Sequence, residues 1–180
     1  NSCFVIEVGD FRFAIEFGAS SLVALKQAGI EHSSIDVFVF THIHADHCSG
    51  IPSMILDSML GAKRTKPMFI AGPRDTEFRM KEMMESMLPG SHIMVPKFDL
   101  TWVDMEIMKP NQIGEHLTVT PYPAYHTAET NPTSVRCEAG DKVVSYTGDS
   151  AWTKHIPKIS KDADLFICES YFYEKPIRFH

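Results

Sequence analysis

The sequence predicts a layered α/β architecture, in which sheets of short strands are covered by helices. Three observations support this class. Apolar, strand-like segments recur along the whole chain, and helix-like segments lie between several of them. No internal repeat or low-complexity linker interrupts the pattern. Because elements of both types are interleaved, a single layered domain over residues 1–180 is the expected packing.

Composition narrows the class of protein. Hydrophobic residues make up 44% and charged residues 22% of the 180 positions, which is typical of a soluble globular protein. No apolar run approaches the roughly 18 to 20 residues of a membrane-spanning helix. The net charge of -6, with dispersed Lys and Arg, argues against a protein whose main affinity is for the nucleic-acid backbone. Four cysteines without a Cys-x-x-Cys pair favour reduced thiols and a cytoplasmic protein, with disulfide pairing as the alternative. Strand-like sequence follows Asn1 almost at once, so we expect the chain to start inside a longer protein, and a targeting segment before it is left open.

The first elements are two strands, "CFVIEV" and "FRFAIEF", which Gly9-Asp10 joins in a typical hairpin turn. The segment "SSLVALKQAG" predicts a helix that ends at Gly29, and "IDVFVF" predicts a buried strand. A second helix is predicted over "GIPSMILDSMLG", since Pro52 is tolerated in a first turn. The segment "KPMFIAG" predicts another strand.

An amphipathic helix is predicted for residues 73–88, with Met80, Met83, Met84 and Met87 at helical spacing. Methionine commonly fills irregular gaps, which favours a packing role; a flexible lid or a dimer surface is the alternative. Strand patterns dominate the remainder: "FDLTWVDMEI", "HLTVTPYPAYH", "TSVRCEA", "KVVSYTG" and "ADLFICE". One short helix is predicted at about residues 152–160.

A cluster of metal-binding residue types, "THIHADH", follows the strand "IDVFVF" directly. On a helix, His42 and His44 would point about 200° apart, whereas on a turn leaving a strand they can converge. Imidazole and carboxylate groups suit zinc and similar divalent ions, which bind them at about 2.0–2.2 Å. One ion cannot easily take all four donors from so short a segment, so His42, His44, Asp46 and His47 predict two neighbouring metal ions.

Further donors follow other predicted strands. His126 ends the run "PYPAYH", and Asp149 follows the apolar strand and glycine of "VVSYTGD". Polar residues at the ends of neighbouring strands can converge at one edge of a sheet. Both residues are therefore candidate ligands.

These motifs resemble those of the metallo-β-lactamase-fold hydrolases: "THIHADH" matches their His-x-His-x-Asp-His motif, "YHT" their second ligand segment and "YTGDS" their Gly-Asp segment. The resemblance implies a four-layer αββα sandwich, here expected to lack terminal portions. It also implies hydrolysis by water activated by two divalent ions, zinc first and manganese or iron as alternatives. The implied ligands are His42, His44 and His126 for the first ion, Asp46 and His47 for the second, and Asp149 as the bridge.

The C-terminal segment "DLFICESYFYEKPIRFH" is most similar to the ribonuclease Z branch of this family. There, a histidine some ten residues after a Glu-Ser pair acts near the leaving group, which implies a general-acid role for His180. A metal-ligand role and a solvated terminal histidine are the alternatives. The resemblance thus gives catalytic roles to Asp46 and His180 and puts a final metal ligand beyond His180. Glu169 and Ser170 are candidates for orienting the ligands, since carboxylates there commonly orient ligating imidazoles.

The resemblance also bears on the substrate. Class B β-lactamases usually have a cysteine where this chain has Asp149, which argues against β-lactam hydrolysis. Asp149 follows His126 by only 23 positions, which is too short for the tRNA-gripping arm of many ribonuclease Z enzymes. We therefore expect a phosphodiesterase acting on a small or cyclic phosphodiester or on a nucleic-acid end. A hydrolase of carboxylic esters, lactones or thioesters is the alternative, and a non-hydrolytic di-iron redox domain is a third. Homodimers are common in the family and are expected here by analogy.

Overall fold

The chain folds as two compact units, Asn1–Asp104 and Met105–His180. The computed structural model describes residues 1–174 and 178–180. Among these residues, each unit contains one five-stranded sheet with accompanying helices, which confirms the predicted α/β class. Of the helices in this described part, none is both long and apolar enough to cross a bilayer.

The first unit begins with strands and alternates strand and helix thereafter. Its strands are β1 (Phe4–Val8), β2 (Phe11–Ile15), β3 (Val37–Val39), β4 (Met68–Gly72) and β5 (Leu100–Asp104). Its helices are α1 (Ser21–Gln27), α2 (Ala45–Cys48), α3 (Ile51–Leu60) and α4 (Thr76–Met87).

The sheet of this unit has the order β1-β2-β3-β4-β5. Strands β1 and β2 form the predicted antiparallel hairpin, with Gly9 at a φ of 58° in its turn. Strands β2 to β5 pair in parallel. The chain therefore leaves β2 after Ile15 and β3 after Val39 at the same edge of the sheet. The motif "THIHADH" (residues 41–47), called the ligand loop below, begins at this shared edge.

Buried apolar side chains pack beside the ends of β2 and β3 and stabilise this edge of the sheet. The ring of Phe17, just after β2, meets the ring of Phe38 in β3 at a centroid distance of 5.1 Å and an angle of 82°. Both side chains are fully buried. Helix α4 buries Met80 and Met84, which confirms a packing role for these two, whereas Met87 is 53% exposed.

The second unit is largely antiparallel. Its elements are β6 (Asn111–Ile113), β7 (Leu117–Pro123), β8 (Thr133–Ala139), β9 (Lys142–Tyr146), α5 (Ile156–Ser160) and β10 (Leu165–Ile167). The sheet order is β10-β9-β8-β7-β6, in which only the pairing of β9 with β10 is parallel among the described strands. Because β7, β9 and β10 run in one direction, all three end at the same edge.

Helix α5 is tied to the strands beneath it by side-chain hydrogen bonds. The hydroxyl of Ser145 in β9 donates to the carbonyl of Ile159 at 2.6 Å, and Arg136 in β8 donates to the same carbonyl at 3.1 Å. The helix begins at Ile156, later than the predicted residue 152, because the preceding residues form a turn closed by the Ile156 N–H on the Thr153 carbonyl.

Replacing Phe38 with alanine should lower the free energy of unfolding by about 3–5 kcal/mol, since a buried ring is lost and a cavity remains. Urea unfolding followed by circular dichroism measures the change. Tyr173→Ala is the control, because that ring is 97% exposed and its loss should cost less than about 0.5 kcal/mol. Equal losses in the two variants would contradict the assignment of Phe38 to the core.

Candidate metal centre

The loop after β3 brings the first two histidines of the motif together. His42 Nε2 lies 3.1 Å from His44 Nδ1. Two ligand atoms about 2.0–2.1 Å from a tetrahedral zinc ion would lie about 3.3 Å apart. The pair of nitrogen atoms therefore fits two adjacent ligand positions of one ion, as expected for a turn that leaves a strand.

Asp46 and His47 form a second pair on the short helix α2. His44 precedes this helix with an extended backbone, and its carbonyl accepts the N–H of His47 at 3.0 Å. His47 Nε2 then lies 3.4 Å from an oxygen of Asp46. His47 is buried and the Asp46 side chain is 57% exposed, so the carboxylate faces the open side. An imidazole nitrogen and a carboxylate oxygen at this separation fit a second divalent ion.

A fully buried carboxylate, that of Glu16, lies behind these donors. It follows β2 directly and has a left-handed backbone with a φ of 62°. One oxygen, Oε1, accepts the N–H of Thr41 at 3.2 Å and the Thr41 hydroxyl hydrogen, and lies 3.4 Å from His47 Nδ1. Thr41 Oγ1 is in turn 3.0 Å from His42 Nδ1.

These contacts give Glu16 an orienting role. Carboxylates that contact the far nitrogen of a ligating imidazole fix its ring and raise its basicity. The pKa of Glu16 is raised above its ordinary value because burial is the largest effect. The contacts with His47 and Thr41 oppose this shift only in part. Ligand-type atoms of Glu16, His42 and His47 also lie within 4.8 Å of one another, which places the carboxylate beside both rings. Glu16 is not among the ligands predicted from the sequence, although it is a polar residue directly after an apolar strand, the same signal that predicts His126 and Asp149.

The ligand loop packs closely against the segment after β2 at two glycines, Gly18 and Gly50. A side chain at Gly18 would meet the Asp46 carbonyl oxygen at 2.2 Å, and one at Gly50 would meet the Gly18 carbonyl oxygen at 2.5 Å. The N–H of Phe17 donates to the His47 carbonyl at 2.5 Å. Any larger residue at either glycine would push the ligand loop away from its support.

Cys48 is a packing residue at the back of the loop. Its sulfur lies 3.2 Å from the His44 carbonyl oxygen, and the side chain is buried. Burial, with the nearby charges of Glu16 and Asp46, raises the pKa of the thiol to about 12. The thiol form is therefore favoured.

In the second unit, the predicted ligands follow β7 and β9. His126 comes shortly after β7 and is 8% exposed, and Asp149 follows Gly148, whose φ is 62°. The parallel strand β10 leads to Glu169, whose N–H donates to Thr147 Oγ1 at 2.8 Å. His126 and Asp149, which were predicted from their positions after strands, thus follow strands that end at the same edge of this sheet.

Glu169 connects this edge to the C-terminal histidine. Its Oε2 accepts the N–H of Ser150 at 2.5 Å, and its Oε1 contacts His180 Nδ1. The His180 ring lies 5.2 Å from the ring of His126 between centroids, and its side chain is 20% exposed. His42, His44, Asp46 and His47 therefore lie in the first unit, and His126, Asp149, Glu169 and His180 in the second.

Solved structures share this fold. The chain is similar to the metallo-beta-lactamase fold protein YhfI from Bacillus subtilis, with a TM-score of 0.74 and 21% identity over 97% of this chain and 66% of that chain. Human tRNase Z, short form, gives a TM-score of 0.71 and 16% identity over 92% and 69% of the two chains. The chain thus has the metallo-β-lactamase fold, and the predicted fold class is confirmed.

The family follows from the sequence comparison. The model of the beta-lactamase superfamily domain matches residues 17–179, so the chain belongs to this superfamily. Ribonuclease Z from Agathobacter rectalis is 29% identical over 206 residues, which cover 89% of this chain and 66% of that protein. The chain therefore spans about two thirds of this relative's length. The aligned region is also longer than the 180 residues of this chain, so the relative contains segments that this chain lacks.

Replacing Glu16 with glutamine should weaken zinc binding by about 10–100-fold, because the far nitrogen of His47 loses its anionic partner and the Thr41 hydroxyl that contacts His42 loses a charged acceptor. Competition with a chromophoric chelator measures the affinity. Glu7→Gln is the control, since the Glu7 side chain is 56% exposed on β1. If both variants bind zinc as the unmodified chain does, Glu16 has no orienting role.

Proposed function

We propose that residues 1–180 form a metal-dependent phosphodiesterase domain. In this proposal His42, His44 and His126 would hold the first ion, Asp46 and His47 would hold the second, and Asp149 would be shared by the two. The main support is the separation of 3.1 Å between His42 Nε2 and His44 Nδ1, which matches the spacing of two ligands on one ion. The similarity to ribonuclease Z from Agathobacter rectalis favours a phosphodiester as the bond that is cut.

Two divalent ions supply the chemistry that this chain's own side chains lack. When bound, they lower the pKa of water and neutralise charge on phosphate oxygens. Nitrogen and carboxylate donors favour zinc, with manganese or iron as alternatives. The protein's contribution is orientation: Glu16 and Thr41 hold the imidazoles of His42 and His47 from behind.

We assign proton donation to His180. The contact of Glu169 with His180 Nδ1 fixes the ring and leaves Nε2 for the leaving-group oxygen. Glu169 is held in turn by the N–H of Ser150, next to Asp149. The positioning of the proton donor is thereby linked to the loop that carries the proposed bridging ligand.

The substrate class is a small phosphodiester or a nucleic-acid end. This choice is supported by the acidic net charge of -6 and by the short interval between His126 and Asp149, which leaves no room for a long tRNA-gripping arm. We propose that the protein acts in the cytoplasm, where its free thiols remain reduced. The exposed side chains of Phe78 and Met87 on α4 form the surface that we expect a homodimer to use.

The zinc- or manganese-loaded protein should hydrolyse bis(p-nitrophenyl) phosphate and bind about two ions per chain. Asp149→Ala should lower kcat/KM by more than about a hundredfold, since the proposed bridge is lost. Release of p-nitrophenolate and elemental analysis measure the two effects. Asp141→Ala is the control, because its side chain is 85% exposed in the β8–β9 turn.

Three results would overturn this function. Normal turnover by Asp149→Ala would exclude the two-metal assignment. Turnover of lactones or thioesters without any phosphodiester hydrolysis would favour the carboxylic ester class. Bound iron with visible absorbance and no hydrolysis would favour redox chemistry.

His180→Ala should slow alkoxide-leaving substrates by about 10²–10⁴-fold, while p-nitrophenyl esters, whose leaving group needs no proton, lose much less. A series of aryl and alkyl phosphodiesters measures the dependence of kcat on the leaving group. His92→Ala is a matched control, since His92 pairs with Glu85 on an exposed surface of the first unit. The same loss for good and poor leaving groups in His180→Ala would exclude the proton-donor role.

A further inference from the structure

A cavity of about 420 Å³ opens beside His126 in the second unit. Small-molecule sites commonly measure about 300–1,000 Å³, so its size suits one planar ring system with its sugar. The lining residues are Ile107, Pro123, Ala124, Tyr125, His126, Ala128, Asn131 and Pro132. Because a proposed metal ligand forms part of its wall, the cavity is continuous with this half of the candidate site.

The lining is chemically selective. Among the described residues, the lining contains no Asp, Glu, Lys or Arg, and prolines, alanines and Ile107 provide flat apolar walls. Asn131 adds one amide with both a donor and an acceptor. An uncharged, planar group with polar edges fits such a lining, whereas a second phosphate or a carboxylate does not.

Tyr125 provides an aromatic side chain in the cavity wall, and hydrogen bonds fix its backbone. Its N–H donates to Ser150 Oγ at 3.0 Å, and its carbonyl accepts the N–H of Ala151 at 3.0 Å. These bonds fix the backbone, yet the residue is 53% exposed. The neighbouring Phe179 ring lies 5.5 Å away between centroids, and the Arg178 guanidinium lies 4.6 Å from the Phe179 ring. Proteins that bind single-stranded nucleic acids combine aromatic side chains, on which bases stack, with positive charge near the backbone.

We infer that this cavity binds the nucleobase attached to the scissile phosphodiester, with the base stacked on Tyr125. This inference rests on the proposed phosphodiesterase function and narrows its substrate to nucleotide esters. Every base has a π-face, so stacking accepts bases of differing sequence, and the Asn131 amide can bond to a base edge.

Two substrates with the same leaving group test this inference. Thymidine 5′-(p-nitrophenyl) phosphate has a base, and methyl p-nitrophenyl phosphate has none. Tyr125→Ala should lower kcat/KM for the thymidine ester about tenfold more than for the methyl ester, as expected for one lost stacking contact. Tyr125→Phe should keep the ratio of the two, since the ring remains. Tyr173→Ala should also keep it, because Tyr173 is 97% exposed and lies outside the cavity lining.

An unchanged ratio in Tyr125→Ala, or an equal drop in Tyr125→Phe, would overturn the inference. If the unmodified protein hydrolyses neither ester, the proposed function fails, and calorimetric titration with thymidine 5′-monophosphate then decides the inference separately. Binding that Tyr125→Ala weakens about tenfold and Tyr125→Phe preserves would support it. Absence of binding to the unmodified protein would overturn it.

Discussion

The buried carboxylate of Glu16 is the group on which the ligand loop depends. A carboxylate removed from water destabilises a protein by several kcal/mol unless its oxygens are paired. Here Thr41 and His47 surround one oxygen, and Thr41 also contacts His42. The left-handed backbone at Glu16 aims the side chain inward, although such a conformation costs a non-glycine residue about 1–2 kcal/mol. The contacts at this one oxygen therefore offset part of the cost of burial and orient both imidazoles.

Strand direction explains how distant residues reach common edges. In the first unit, β2 and β3 are parallel neighbours, so Glu16 and Thr41 emerge side by side although they are 25 positions apart. In the second unit, β9 and β10 are parallel, and the Thr147 N–H donates to the Ile167 carbonyl just where both strands end. In each unit, a parallel pairing of two strands thus brings residues that are distant in the sequence close together at one edge of the sheet. The chemistry follows from topology, with short loops carrying the donors.

Much of this arrangement could be predicted from the sequence, because most candidate ligands occupy recognisable positions. His42 to His47 form a dense local motif, and His126 and Asp149 end apolar strands. Glu16 was missed because its partners are close only after the strands pair. The three-residue strand β6 has no apolar alternation and depends on β7 for its conformation, and the boundary between the two units has no linker composition. The contact of His180 with Glu169 likewise depends on the return of the chain to the end of β10.

The close packing of Gly18 against the ligand loop affects the stability of the folded chain and its resistance to proteolysis. A loop whose backbone is clamped to β2 cannot hold its donors in place once the sheet opens, so a metal ion would bind the folded chain far better than the unfolded one. Such selective binding adds about 2.7 kcal/mol of stability when the free ion is a hundredfold above its dissociation constant. Resistance to proteolysis would then rise and fall with metal supply.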